Sequence, residues 1–241
     1  VLRRIKVVIL SFFLMIIVIV VGNQIHLSLV EKNKNNNYED VYSTNKESNL
    51  SILIEVDRKI LYLIDMDTNE IIKKYVVATG KPGSPTPLGT FKIVEKAAWG
   101  GGFGSRWMGL NVPWGKYGIH GTNKPDSIGY NASAGCIRMR NQDIEELYSM
   151  VKHETIVTLV SGEYGPFSYG FRTIKPGDRG ADVREVQKRL KQKGYYEGSI
   201  DGVYGNGMKS ALINFLKDNN MSITDNIGPN IYEKLGIVLM D

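Results

Sequence analysis

Residues 51–80, SILIEVDRKILYLIDMDTNEIIKKYVVATG, decide the architecture. SILIEV, KILYLIDM and EIIKKYVVATG are short apolar runs rich in β-branched residues, the composition that fits a pleated, half-buried surface. Charged turns divide them at Asp57-Arg58-Lys59 and at Asp65 to Asn69. Together they predict a meander of β-hairpins. The following TGKPGSPTPLGT carries Pro82, Pro85 and Pro87 among Gly80, Gly83 and Gly89, which excludes a helix and predicts an ordered turn before a strand over Thr90–Val94.

Outward from this core, AAWGGGFGSRWMGLNVPWGKYGIHG holds all three tryptophans, Trp99, Trp107 and Trp114, among many glycines. It reads as a glycine-rich loop closed over the core, or as the aromatic rim of a cleft. Asn141-Gln142-Asp143 offers a cap for a helix over DIEELYSMV, with Ile144, Leu147, Tyr148 and Val151 on one face. A strand over Thr155–Val160 completes a mainly β domain spanning 50–161. Residues 162–175, with glycine, proline and aromatics, read as a linker. Over 176–241 the period turns helical: DVREVQKRLKQKG, MKSALINFLKDN and NIYEKLG predict a small all-α domain of three short helices.

Toward the N-terminus, Arg3, Arg4 and Lys6 precede the apolar run Val7–Val21. That order fits an export signal, and no small-x-small cleavage site follows it, so 1–24 is expected to be an uncleaved membrane anchor. Residues 25–49, asparagine-rich and without apolar period, read as a flexible polar spacer. The rest of the chain is then expected on the extracytoplasmic face of the membrane. The composition, 42% hydrophobic and 23% charged, is that of a globular protein, and the net charge of +5 is spread too evenly for nucleic-acid binding.

The chain has one cysteine, Cys136, in Ser133-Ala134-Gly135-Cys136, so no internal disulfide can form. A thiol kept outside the cytoplasm without a partner points to use of its reactivity. Thiolate formation needs a base or cation nearby, and His120 lies sixteen residues upstream, between Gly118 and Gly121. No acidic residue is close in sequence to orient the imidazole, which leaves the Gly121 carbonyl as the local candidate. The amides around Ala134, Gly135 and Cys136 would supply an oxyanion hole. Arg138 is placed either to pair with a substrate carboxylate or to form a structural ion pair. Ser133 and Asn141 read as residues that hold the loop. One cysteine and one usable histidine fall short of a zinc site, and no cofactor is expected. These residues describe a cysteine acyltransferase or hydrolase.

ATGKPGSPTPLGTFKI, HGTNKPDSIG and SAGCIRMRNQDIEELY together resemble the YkuD-type L,D-transpeptidase catalytic domain, over roughly residues 50–161. The resemblance implies a β-sandwich with a helix after the cysteine motif. It implies Cys136 as nucleophile toward the third residue of a peptidoglycan tetrapeptide stem, with release of D-alanine. His120 would be base and then acid, and Gly121 the orienting carbonyl. Many members have histidine where this chain has Ala134, so His120 would act alone. The C-terminal segment is similar to a three-helix peptidoglycan-binding domain through Gly177 to Gly180, Val183, Val186-Gln187, Leu190, Asp201-Gly202, Tyr204-Gly205, Ala211 and Phe215. The implied partners are peptidoglycan stem peptides and glycan. L,D-carboxypeptidase activity at the same site and an inactive wall-binding protein are the alternatives. A sortase is disfavoured because its TLxTC-type strand ending is missing.

Overall fold

The computed structural model describes residues 49–239. The anchor expected over 1–24 and, but for Asn49, the spacer over 25–49 lie outside them. Among the described residues no helix is long and apolar enough to cross a membrane.

The meander forms as the alternating pattern requires. β1 (Leu50–Glu55), β2 (Ile60–Asp65) and β3 (Glu70–Val76) pair antiparallel in chain order. Ile52, Ile54, Leu61 and Leu63 point into the core and are fully buried. Asn69 turns the second hairpin at φ 60°, a left-handed conformation that asparagine tolerates better than most residues.

The remaining strands depart from chain order. β10 (Ile156–Val160) inserts beside β1, parallel to it, with Ser51 opposite Ile156, and pairs antiparallel with β5 (Gly89–Ala97) on its other side. The final order is β3-β2-β1-β10-β5-β6-β7-β9, with a separate pair formed by β4 (Thr79–Gly80) and β8 (Asn131–Ser133). The strand order is continuous through β5, which belongs to both halves of the domain. β5 makes it continuous: its first residues pair with β10 through Lys92, and from Ile93 onward it pairs with β6 after a register shift between Ile93 and Glu95. Such irregularities bend a strand and increase its twist. Residues from both halves, among them Ile54, Val157, Met108, Ile119 and Ile137, join in one core.

Two stretches of the tryptophan-rich segment are strand, and the loops between and before them carry Trp114 and Trp99. The strands form an antiparallel pair, β6 (Trp107–Leu110) with β7 (Tyr117–His120), in which Gly109 faces Gly118 and Trp107 faces His120. Trp107 is only 1% exposed, and its indole lies across both glycines. A Cβ at Gly118 would stand 2.6 Å from the ring and 2.7 Å from the Met108 carbonyl oxygen. The glycines thus clear a bed for a core ring, the close approach that glycine permits within a strand.

α1 (Asn141–Met150) begins two residues earlier than its apolar period indicates, and Arg140 stands at its N-cap without a side-chain bond. α2 (Ala181–Gln192), α3 (Asn206–Asp218) and α4 (Pro229–Lys234) form the C-terminal bundle around a second core. Buried Gln187 holds the turn at 201–203: its amide donates to Asp201 Oδ1 and the Val203 carbonyl, and its oxygen accepts from Gly202 N–H. The segment between the two domains contributes Phe167 and Ile174 to this second core. Tyr169 from that segment donates to Asp57 at 2.7 Å. Trp114 packs against Gly202, where a Cβ would fall 2.5 Å from its ring, and Ala181 and Val203 pack against the first core. The bundle is thus seated on the catalytic sheet.

Candidate active site

β7 and β9 (Ile137–Arg138) run parallel, with Ile119 opposite Ile137 and His120 opposite Arg138. One step back along this register, Cys136 stands alongside Gly118. Side chains alternate along a strand, so Gly118, His120, Cys136 and Arg138 share one face. Cys136 and His120 are diagonal neighbours on it, a relation that spans about 7–8 Å between backbones and brings a ring within reach of its partner. The sixteen-residue separation in sequence becomes an adjacency because the chain returns on the neighbouring strand.

His120 is 3% exposed and enclosed by aromatic rings. Phe103 meets it edge-on at 5.0 Å between centroids, and the Trp107 ring lies 5.8 Å away. Its Nδ1 lies 2.5 Å from the Gly121 carbonyl oxygen. That oxygen can only accept, so Nδ1 carries the proton and Nε2 is left with its lone pair. Burial pushes the pKa of His120 below the ordinary imidazole value of 6.5; the Gly121 and Phe103 backbones partly oppose this, and the Arg138 cation adds to it. Burial pushes the Cys136 thiol up, with the Gly118 backbone and Arg138 pulling the other way. The resting pair at neutral pH is a thiol and a neutral imidazole, not an ion pair.

A set of supports reaches the imidazole from outside the motif. Trp107 Nε1 donates to Glu95 Oε2 at 2.9 Å, fixing the indole against which His120 packs. Asn141 Oδ1 accepts from Ser105 N–H and Thr122 N–H, each at 3.2 Å. A Cβ at Gly121 would stand 2.3 Å from that same oxygen, so the glycine lets Asn141 tie the strand that follows His120 to the loop after Phe103. Asn141 does not act as the helix cap its position indicated. Glu95 and Phe103 carry no motif, and only their place across β6 and β7 reveals them.

The cysteine loop is fastened by Ser133, whose hydroxyl donates to the Cys136 carbonyl and accepts from Gly135 N–H at 3.0 Å. The Gly135 amide, one of those expected in the oxyanion hole, is thus engaged by Ser133. Gly135 has φ +112°, and a Cβ there would fall 2.6 Å from the Tyr117 ring, so its role is to let the loop pass beneath Tyr117. The Ala134 and Cys136 amides remain as candidate oxyanion donors, and Ala134 is exposed. Arg138 is held through its backbone, which exchanges both hydrogen bonds with Ala78 at 2.9 and 2.8 Å. Its side chain forms no ion pair among the described residues, and its Nε is buried without a hydrogen-bond partner. The structural ion-pair reading therefore has no carboxylate to rest on.

Of the tryptophans read as a cleft rim, Trp107 and Trp114 are core residues, 1% and 5% exposed. Trp99 stacks on Trp107 at 5.0 Å and is partly exposed. Met208 and Leu216 are buried and serve the second core.

Residues 50–159 match the YkuD family model, described as an L,D-transpeptidase catalytic domain, and residues 179–235 match a model described as "Putative peptidoglycan binding domain". Two curated relatives carry the name "Putative L,D-transpeptidase YkuD". The Bacillus subtilis protein is 47% identical over 92 residues, which cover 38% of this chain and 55% of that protein. The Bacillus licheniformis protein is 42% identical over 109 residues, covering 45% and 64%. The chain thus spans roughly half to two thirds of these relatives. A solved L,D-transpeptidase from Mycobacterium smegmatis superposes with a TM-score of 0.40 at 22% identity, over 47% of this chain and 59% of that one. Residues 50–159 belong to the YkuD family of L,D-transpeptidase catalytic domains, and they are followed by a domain of the peptidoglycan-binding family.

Proposed function

We propose that the protein forms peptidoglycan cross-links by L,D-transpeptidation through a thioester on Cys136. The observation that carries this reading is the shared face of β7 and β9, where the one thiol of the chain stands diagonal to an imidazole whose Nδ1 proton is held by the Gly121 carbonyl. His120 Nε2 removes the thiol proton as sulfur attacks the carbonyl carbon of the third stem residue. The Ala134 and Cys136 amides stabilise the oxyanion. The C–N bond to D-alanine breaks, and the imidazolium returns its proton to the departing amine. An amine of a second stem then attacks the thioester carbonyl, His120 takes its proton, and the C–S bond breaks to restore the thiol. Arg138 holds the carboxylate of the donor stem, the only assigned role that satisfies its buried Nε. The helical domain holds the enzyme to peptidoglycan glycan, and the N-terminal segment anchors it at the extracytoplasmic face of the membrane.

Mass spectrometry of products from a disaccharide-tetrapeptide tests the reaction. Cross-linked dimer and free D-alanine are expected from the wild type, and neither from Cys136→Ala. Tripeptide without dimer would replace the transpeptidase by an L,D-carboxypeptidase. D-alanine release by the variant would remove Cys136 as nucleophile.

A further inference from the structure

A cavity of about 740 Å³ lies between the catalytic sheet and the helical domain. It is built by both: the turn at 83–88, Trp114, Tyr117 and Ala134 on one side, and 166–172 with 179–182 on the other. Ala134 precedes the nucleophile by two residues, so the cavity opens beside the cysteine loop. Its volume lies in the range that encloses a small-molecule or short peptide ligand.

Two arginines line it and differ in state. Arg172 is neutralised by Asp178 at 2.7 Å and Asp182 at 2.6 Å. Arg179 forms no ion pair among the described residues; its Nη1 donates to the Trp114 carbonyl at 3.2 Å, which leaves most of the guanidinium's donors available. Tyr117 packs over Gly135 of the cysteine loop, where a Cβ would fall 2.6 Å from its ring, and lines the same cavity as Arg179.

Cross-linking brings two stems to one cysteine, and each stem carries a carboxylate. Arg138 lies beside Cys136 at the edge of the sheet, whereas Arg179 reaches the cavity from the other domain. We propose that this interdomain cavity is the subsite for the acceptor stem, with Arg179 binding the acceptor's terminal carboxylate. The proposal rests on the cross-linking reaction assigned above. It makes the helical domain a wall of the reaction site as well as a tether, since the cavity is incomplete without residues 166–182.

The test is equilibrium binding of a disaccharide-tripeptide to the full chain carrying Cys136→Ala, which removes turnover. Adding Arg179→Gln, which keeps a donor for the Trp114 carbonyl, should weaken binding about tenfold to a hundredfold, the loss expected for a charge-assisted pair. Arg179→Lys should recover part of it. The same tripeptide with its terminal carboxylate amidated should bind with equal affinity whether or not the Arg179→Gln change is present, a result that a merely structural role would not give. Ser84→Trp, which fills the cavity from the opposite domain, should weaken both ligands. Overturning results are a tripeptide affinity independent of Arg179, or equal losses for the free acid and the amide. Since this measurement needs no turnover, absence of D-alanine release by the wild type would overturn the assigned reaction separately.

Discussion

Asn141→Ala removes one oxygen and reaches the proposed base, His120, through two bonds. Asn141 Oδ1 is the acceptor for Thr122 N–H and Ser105 N–H. Thr122 is 4% exposed, and a buried donor left without its acceptor costs about 1–3 kcal/mol. Ser105 N–H is nearer solvent, where exchange with water limits the loss to about 0.5–1.5 kcal/mol. Alanine returns roughly half a kcal/mol through its higher helix propensity at the start of α1. The net loss is about 1–4 kcal/mol, and a unit of this size loses roughly 2–4 °C of Tm per kcal/mol. Activity should fall further than stability indicates. The Gly121 carbonyl that orients His120 belongs to the segment Asn141 ties down, and displacement of a catalytic group by about 1 Å can cost on the order of a hundredfold. Asn141→Asp separates these effects: it keeps the acceptor and the Tm, while its negative charge favours the imidazolium and moves the acid limb of the rate profile upward. Thermal unfolding and D-alanine release across pH provide the measurements. If Asn141→Ala melts within a degree of the wild type, or Asn141→Asp loses as much Tm as alanine does, the brace is not what holds His120.

The remaining predictions concern protonation and packing. Since burial holds the His120 pKa below 6.5, the base form persists into mildly acidic solution, and acylation should be lost only as pH falls through a midpoint below that value; a midpoint above about 7 in the pre-steady-state release of D-alanine refutes the neutral pair. The raised Cys136 pKa requires slow alkylation by iodoacetamide at neutral pH, accelerating with alkali beyond the range of a free thiol. Gly118→Ala drives a methyl into the Trp107 ring and the Met108 carbonyl, an overpacking that should cost about 1–3 kcal/mol in urea unfolding. Wild-type stability for that variant would show that the indole does not lie where His120 needs it.

Much of this was legible because period and punctuation agreed. The three strands of the meander carry uninterrupted β-branched runs between charged turns, and α1 to α4 show their apolar spacing directly. β6 and β7 were illegible for a specific reason: Gly109 and Gly118 occupy the positions where alternation would have placed side chains, because Trp107 fills both from one neighbouring position. Within the site, Cys136, His120 and the Gly121 carbonyl lie in one segment and could be named from it. Gly135 was open to two readings because a glycine that frees the backbone for an oxyanion hole and one that lets it pass under an aromatic ring look identical in sequence. Glu95 and Phe103 were invisible as supports, since their meaning depends on which segments become neighbours, whereas Asn141 was legible as a residue that holds a loop. The insertion of β10 between β1 and β5 depends on partners distant in the chain, and no local pattern encodes it.

That insertion also governs when the domain can form. The first strand of the sheet has the last as its parallel neighbour, with Leu53 opposite Thr158, so closing the centre of the sheet requires almost the whole domain to be available. His120 and Cys136 are both made before that strand exists. Contacts of such separation are slow to form, and until they do β1 presents an open edge flanked by Ile52 and Ile54. A chain exported as proposed would thereby be kept from enclosing its thiol early, at the expense of a sticky edge. Release of the final strand is the step that turns a string of hairpins into an enzyme.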